Sequence, residues 1–208
     1  YRLKDAQELL DIGFIEYVPA ESCWRPVEAK DHLFIHCLYV NGKKHNRKGY
    51  GRILLEAVES DAHALNRSGI AVVTSKKGFM ANADLFLKNS YRIVDEWETE
   101  QLLVKSIRDG ELPSIVVDSS ILQRFQNLTM IYSRQCPWVA RFVEEVRTVL
   151  DEKGLEVEII EIQTAEEARK LPTLYAVFNL IYKGKILADR NISLTRFRNI
   201  LKKDLGVE

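Results

Sequence analysis

The 208-residue chain has few of the groups that fix a structure by cross-linking. Its three cysteines, Cys23, Cys37 and Cys136, form no Cys-x-x-Cys pair and no Cys/His cluster at zinc spacing, which argues against a disulfide framework and a structural metal. That usage fits a reduced, cytoplasmic compartment. No apolar run reaches the roughly 18 residues of a membrane-spanning helix, because the densest stretch, Leu171 to Ile181, is broken by Pro172 and Asn179. With 10 Gly and 5 Pro, collagen-like and low-complexity chains are excluded as well. Charge of either sign is not in excess, since 30 Lys+Arg balance 30 Asp+Glu, so neither a nucleic acid nor a membrane surface is an expected partner. The chain opens at Tyr1 with neither Met nor a charged-then-apolar leader, and the expectation is a segment that starts inside a longer gene product.

What is present is a 46% apolar complement, enough for one large domain or two small ones. From Leu9 to Val40 the pattern is extended, with strands expected at Ile12 to Val18 and Leu33 to Val40 around a Pro-bearing turn. Ile53, Leu54, Ala57, Val58, Ala62 and Leu65 then recur at helical spacing. A strand over Ile70 to Thr74, a helix over Met80 to Lys88 and strands over Tyr91 to Val94 and Glu98 to Val104 follow. Breakers between Lys105 and Asn127 read as a linker, which places one domain at 1–105, the linker at 106–127 and a second domain at 128–208. The second domain reads strand (Leu128 to Tyr132), helix (Trp138 to Lys153), strand (Leu155 to Ile162), helix (Ala165 to Leu171), strands (Thr173 to Tyr182, Ile186 to Ala188) and helix (Leu194 to Lys203). The overall class is therefore α/β (α+β) with at least one parallel pairing.

Between the strand ending at Val40 and the helix lies Asn41 to Leu55, with Gly49, Gly51 and five basic residues from Lys43 to Arg52 and no acid. Both halves of the chain, 1–105 and the remainder, carry 15 Lys+Arg and 15 Asp+Glu, so this loop concentrates positive charge within a neutral domain. Glycine-freed backbone amides, a helix N-terminus and lysines together suit a phosphorylated small molecule. A solvated basic loop capping a helix is the plainer alternative. A Walker loop and a dinucleotide fingerprint are both excluded, because Gly51 is followed by Arg52 and Ile53.

The segment Asn46-Arg47-Lys48-Gly49-Tyr50-Gly51 resembles motif A of the GNAT acetyltransferases, Arg/Gln-x-x-Gly-x-Gly/Ala, and the flanking elements extend the likeness over roughly residues 1–105. Gly13-Phe14-Ile15-Glu16-Tyr17, Trp24-Arg25-Pro26-Val27 and Phe34-Ile35-His36-Cys37 are similar to the YoaP-like branch, in which a GNAT domain carries a C-terminal extension. The resemblance implies a GNAT acyl-CoA N-acyltransferase fold, N-terminally incomplete, with acetyl-CoA as cosubstrate, no metal and direct transfer to a primary amine on a small molecule or peptide. It assigns the pyrophosphate to Arg47, Lys48, Gly49, Tyr50, Gly51 and Arg52, and pantetheine pairing to Leu38, Tyr39 and Val40. Only 45 residues precede Asn46, so part of the family's acceptor-facing wall is expected outside this sequence.

Departures from the family pattern bear on catalysis. Its first motif position is Asn46, the usual tyrosine acid is replaced by Phe86, Gly-Phe by Ser90-Tyr91, and a common Asn by Phe79. The base that accepts the amine proton is expected at His36 or Glu16, and the acid at Tyr91, Tyr50 or a water. A lone histidine on an otherwise apolar strand is more often a hydrogen-bonded core residue, which is the alternative for His36, and Cys23 and Cys37 read as buried small hydrophobes. Without an acid the domain would be a CoA-binding module that does not turn over. In the second domain, Tyr132-Ser133-Arg134-Gln135-Cys136-Pro137-Trp138-Val139 resembles a glutaredoxin or thioredoxin entry with Val139 at the second cysteine and Pro172 in the place of the cis-proline, which implies a thioredoxin-like fold without dithiol exchange. Monothiol chemistry at Cys136 and a purely structural or interaction role both stay open. Exposed strand edges make a homodimer an expectation too.

Overall fold

A computed structural model describes residues 2–4, 11–77 and 80–207. The chain divides into two compact units, residues 1–23 with 27–116, and residues 24–26 with 117–208.

In the first unit the elements are β1 (Arg2–Lys4), β2 (Asp11–Pro19), β3 (Val27–Glu28), β4 (His32–Val40), α1 (Tyr50–Ala64), β5 (Gly69–Ser75), α2 (Ala83–Leu87), β6 (Arg92–Trp97), β7 (Glu100–Ser106) and β8 (Ser114–Ile115). Six strands form one sheet in the order β1-β2-β4-β5-β7-β6, with β4 and β5 parallel and the other neighbours antiparallel. β5 is buried along its whole length, as the run Ile70 to Val73 requires of a central strand. Leu54, Leu55, Val58 and Ala62 make the apolar stripe of α1 and pack on Leu33, Ile35, Ile70, Val72 and Leu103 of the sheet. Each fully buried leucine there contributes about 1.5–3 kcal/mol, which outweighs the modest helix propensity of the β-branched residues in α1.

One end of this sheet is clamped. The Ser68 hydroxyl donates to Asp31 at 2.7 Å, and Arg108 and Arg67 surround the same carboxylate, tying the start of β4 to the start of β5. The hydrogen bond from Ser68, followed by the two guanidinium charges, holds the Asp31 carboxyl below its ordinary value despite some desolvation. The opposite end of the same strand pair is open.

The second unit contains β9 (Thr129–Tyr132), α3 (Pro137–Lys153), β10 (Glu158–Glu161), α4 (Ala165–Arg169), β11 (Phe178–Tyr182), β12 (Lys185–Ala188) and α5 (Leu194–Ile200). Its sheet runs β10-β9-β11-β12, with β9 and β10 parallel and the other pairs antiparallel. Residues of α3 and α5 share a cluster with Phe178, where Phe142 meets the rings of Phe178 and Phe197 edge-on at 5.6 and 6.1 Å. Ala168 of α4 joins Ile131, Ile162, Leu171 and Ile181 in a separate cluster. The two clusters alternate along β9, with Met130 and Tyr132 in one and Ile131 in the other, as the period of two dictates.

Several expectations require correction. The stretch 106–127 is not a bare linker, because Ser114 and Ile115 pair with Glu28 and Val27, and a 3-10 turn spans Ser119–Arg124. The helix expected at 80–88 shrinks to Ala83–Leu87, since the Asn82 side chain accepts from the Asp84 amide and caps it there. Residues 173–177 are not a strand, and the pairing begins at Phe178. No peptide bond among the described residues is cis, so Pro172 lacks the isomer its position suggested. The stretch of the first expected strand region over residues 9–10, together with Phe79 and Tyr1, lies outside the described residues.

Candidate active site

The open end of the β4–β5 pair is created by register. Pairing between the two strands runs from His32 with Gly69 to Ile35 with Val72, yet β4 continues to Val40 and β5 to Ser75. Immediately beyond Ile35 the β2–β4 ladder shifts: Tyr17 pairs with Ile35 and Glu16 with Cys37, leaving His36 as the extra residue of a β-bulge. Such a bulge bends its strand and increases the local twist, which turns the rest of β4 away from β5. The result is a gap with a strand on each side.

Hydrogen-bond phase shows what lines the gap. Asn41 N donates to Ile12 O at 2.7 Å, so Asn41, Tyr39 and Cys37 direct their backbone groups toward β2. Leu38 and Val40 therefore direct theirs into the gap. On the other side, Lys76 N to Thr99 O at 2.9 Å fixes the β5–β7 phase and leaves the amides and carbonyls of Val73 and Ser75 facing β4. Of the three residues expected to pair with a pantetheine arm, Leu38 and Val40 have suitable backbone direction, and Tyr39 does not.

β4 leads directly into the basic loop. A 3-10 turn at Lys43–His45 is followed by Arg47 and Gly49, both at positive φ, 61° and 82°. Gly49 is the N-cap of α1, and no side chain caps that terminus. The first intrahelical bond is Ile53 N to Gly49 O at 3.1 Å, so the amides of Tyr50, Gly51 and Arg52 precede the helical ladder. No acid lies in the first turn to compete with an incoming anion. A Cβ on Gly51 would lie 3.2 Å from the Leu85 side chain, so the small residue lets α2 pack against this turn. Arg52 is partly neutralised by Glu56 at 2.8 Å, whereas Tyr50 is met edge-on by the His45 ring at 5.6 Å.

Side chains divide cleanly between the two faces. Ile15, Tyr17, Leu38 and Val40 join the α1 cluster, which leaves Phe14, Glu16, Cys37 and Tyr39 on the opposite face. The His36 ring meets the Phe34 ring at 5.2 Å and is half-buried, and Glu16 is exposed and pairs with Cys37 next to it. The structure thus places His36 at the bulge where the gap begins and Glu16, the other residue expected to act as base, on β2 opposite the neighbouring Cys37. Cys37, expected to be buried, is exposed; Cys23 is fully buried.

Tyr91 lies elsewhere. It is a core residue, 4% exposed, packed edge-on against Phe86 at 5.3 Å, and its hydroxyl has no hydrogen-bond partner among the described residues. Burial, with the charge of Glu59 adding to it, pushes its phenol far above the ordinary value. Phe86 is likewise fully buried.

In the second unit Cys136 is the half-buried N-cap of α3, with Pro137 at the first helical position and Trp138 exposed. Arg134 is held by Glu161 at 2.8 Å, and that carboxylate also accepts from the Tyr132 hydroxyl at 2.7 Å. The bulge at His36, the phase of Leu38 and Val40, and the Phe14–Tyr39 ring contact were not anticipated. Only the last carried a sequence signal, since both aromatics fall at alternate positions that a half-buried strand gives to solvent.

Among the described residues no helix is long and apolar enough to cross a membrane, and no group of three His, Cys, Asp or Glu is placed to hold a metal. No family model matches the chain. The chain is similar to the uncharacterized N-acetyltransferase YoaP of Bacillus subtilis, with 27% identity over 206 residues, covering 97% of this chain and 80% of that protein. A match of that extent includes both units. Among solved structures, the PaiA N-acetyltransferase of Thermoplasma acidophilum in complex with coenzyme A aligns with 48% of this chain and 55% of its own length, at 16% identity and a TM-score of 0.39. An aminoglycoside 6'-acetyltransferase type Ii aligns with 53% of this chain and 69% of its own, at 19% identity and a TM-score of 0.41.

Proposed function

We propose that the protein is an acetyl-CoA-dependent N-acetyltransferase that moves the acetyl group directly to a primary amine. The observation that carries this reading is the gap between β4 and β5, with the Leu38 and Val40 backbone directed into it, running into a basic loop and an uncapped helix start. A pyrophosphate at the amides of Tyr50 to Arg52 lets an extended pantetheine arm pair with Leu38 and Val40 as an added strand would. The thioester then lies beside His36. The amine nitrogen attacks its carbonyl carbon, the C–N bond forms and the C–S bond breaks. His36, or Glu16 beside it, accepts the amine proton, and the departing thiolate takes one from water. Coenzyme A and an acetamide leave.

The position of Tyr91 in the core favours a second reading, a CoA-binding module that does not turn over. The second unit is proposed to be thioredoxin-like, which its β-α-β-α-β-β-α order and the place of Cys136 at the start of α3 support. Calorimetric titration with coenzyme A and acetyl-CoA, followed by thiol-release kinetics with a panel of amines, separates the possibilities. Release of coenzyme A that depends on the amine is the expected result. Binding without release selects the module, and absence of binding at millimolar ligand removes both readings.

A further inference from the structure

If the cofactor enters from the α1 face, the acceptor has to approach the thioester from the other face of the sheet. That face of the β2–β4 ladder has a definite chemistry. Phe14 and Tyr39 are directly opposite each other, their rings 5.9 Å apart and tilted by 43°, and they remain 36% and 50% exposed. The Tyr39 hydroxyl donates to the Asn41 side chain at 3.4 Å, which restrains the ring. One register step further along on each strand of the same face are Glu16 and Cys37, with His36 at the bulge beside them. Among the described residues of the ladder on this face, Glu16 is the only acid.

We infer that the acceptor is an arylalkylamine, a single primary amine on a short tether from a flat apolar ring. The inference rests on the acetyl-transfer reading. Exposed aromatic pairs bind flat apolar groups by ring packing as well as by area, so Phe14 and Tyr39 form the seat for the ring. The Glu16 carboxylate complements one ammonium group and guides it toward His36. Strand rise puts Phe14 and Glu16 about 7 Å apart, the span of a two- or three-carbon tether and too long for a ring-bound methylamine. A polyamine or an aminoglycoside would bring several positive charges to a ladder that offers one carboxylate on this face, and the surplus charges would gain no partner there.

The test uses the full chain and two readouts. Thiol-release kinetics compare phenethylamine and tryptamine with benzylamine, spermidine and kanamycin at saturating acetyl-CoA. Calorimetry measures phenethylamine binding to the coenzyme A complex, and acetyl-CoA binding is measured separately for each variant. The expected result is a kcat/KM for the two arylethylamines at least about tenfold above the other three, and a loss of about tenfold in Tyr39→Ala, mostly in KM, restored by Tyr39→Phe, with acetyl-CoA affinity unchanged. Equal or better turnover of spermidine or kanamycin overturns the proposal, as does a Tyr39→Ala variant that keeps the wild-type preference. If no amine is turned over, the transfer reading fails, and the seat is then judged by calorimetry: phenethylamine binding that Tyr39→Ala abolishes upholds it, and absence of phenethylamine binding to wild type overturns it.

Discussion

Two strand-to-helix entries in this chain are built on the same plan and differ in what they leave open. In the first unit β4 passes into α1, and in the second β9 passes into α3. Both helices start without a side-chain cap and without an acid in the first turn. At α3 the strand beside the entry is fully paired, since β9 matches β10 from Thr129 with Glu158 to Tyr132 with Glu161, and the loop is short and closed by Pro137. At α1 the pairing stops at Ile35, the loop carries five cations, and a left-handed glycine starts the helix. A helix N-terminus alone offers partial charge. Combined with a strand whose backbone groups lack a ladder partner, it also offers an extended ligand somewhere to lie.

The sharpest way to break this comparison is to close the first entry and leave the second untouched. Proline fixes φ near −65°, while Gly49 sits at 82°, so Gly49→Pro has to reorganise the start of α1 at a cost of about 3 kcal/mol or more. Coenzyme A affinity is expected to fall by at least about a hundredfold. Circular dichroism checks that the fold survives. Cys136→Ala, at the matching place in the second unit, is expected to leave that affinity within about twofold, since an N-cap cysteine that accepts no hydrogen bond contributes little there. Equal losses in the two variants would show that the first entry has no special role.

A smaller effect follows from charge. Lys48→Glu reverses one exposed cation on the loop without touching its backbone, and it should weaken coenzyme A binding by about tenfold at low salt, with the difference shrinking as salt rises past the Debye limit. Lys153→Glu, at the far end of α3, serves as the control with the same charge change. A Lys48→Glu effect that does not depend on salt would place the lysine in a structural role.

The contrast between the entries was only partly legible in the sequence. Gly49, Gly51 and the cations announced the loop because their chemistry is local. The paired strand at β10 and the open one at β5 could not be told apart by pairing, since Ile70 to Thr74, apolar through Val73, and Leu155 to Ile162, with three glutamates, each read only as a strand. What separates them is the bulge at His36, and a bulge is a mismatch between two strands that neither strand's alternation reveals. Alternation of backbone direction along β4 then turns the groups of Leu38 and Val40 into the gap and those of Tyr39 toward β2, which an undivided Leu38 to Val40 did not foresee. Tyr91 was misplaced for a related reason: an aromatic after a helix is as suited to a core as to a cleft, and packing against Phe86 decided it. The two-residue pairing of β3 with β8 is too short to carry any periodic signal.

The smallest expected effect concerns a second pair of matching contacts, a phenol donating to a carboxylate in each unit. Tyr17 donates to Asp61, and burial, then that hydrogen bond and the charge, raise its phenol from 10.0 to about 12. The folded chain therefore holds this proton more tightly than the unfolded one, so the stabilisation is complete below pH 10 and is lost as pH climbs toward 12. Glu161 behaves in the opposite direction. Hydrogen bonds from Arg134 and Tyr132 lower its carboxyl below the ordinary 4.5, so its contribution is complete above that pH and is lost as pH falls beneath it. Urea midpoints for wild type and Tyr17→Phe are expected to converge on the alkaline side, and those for wild type and Glu161→Gln on the acid side and again at alkaline pH, where the Tyr132 phenol that Glu161 helps to hold above its ordinary value ionises. Because the carboxylates of both contacts keep access to solvent, each difference should be small and reduced by salt. Midpoints for wild type and Glu161→Gln that fail to converge on the acid side would mean that Arg134 and Tyr132 do not hold the Glu161 carboxyl low.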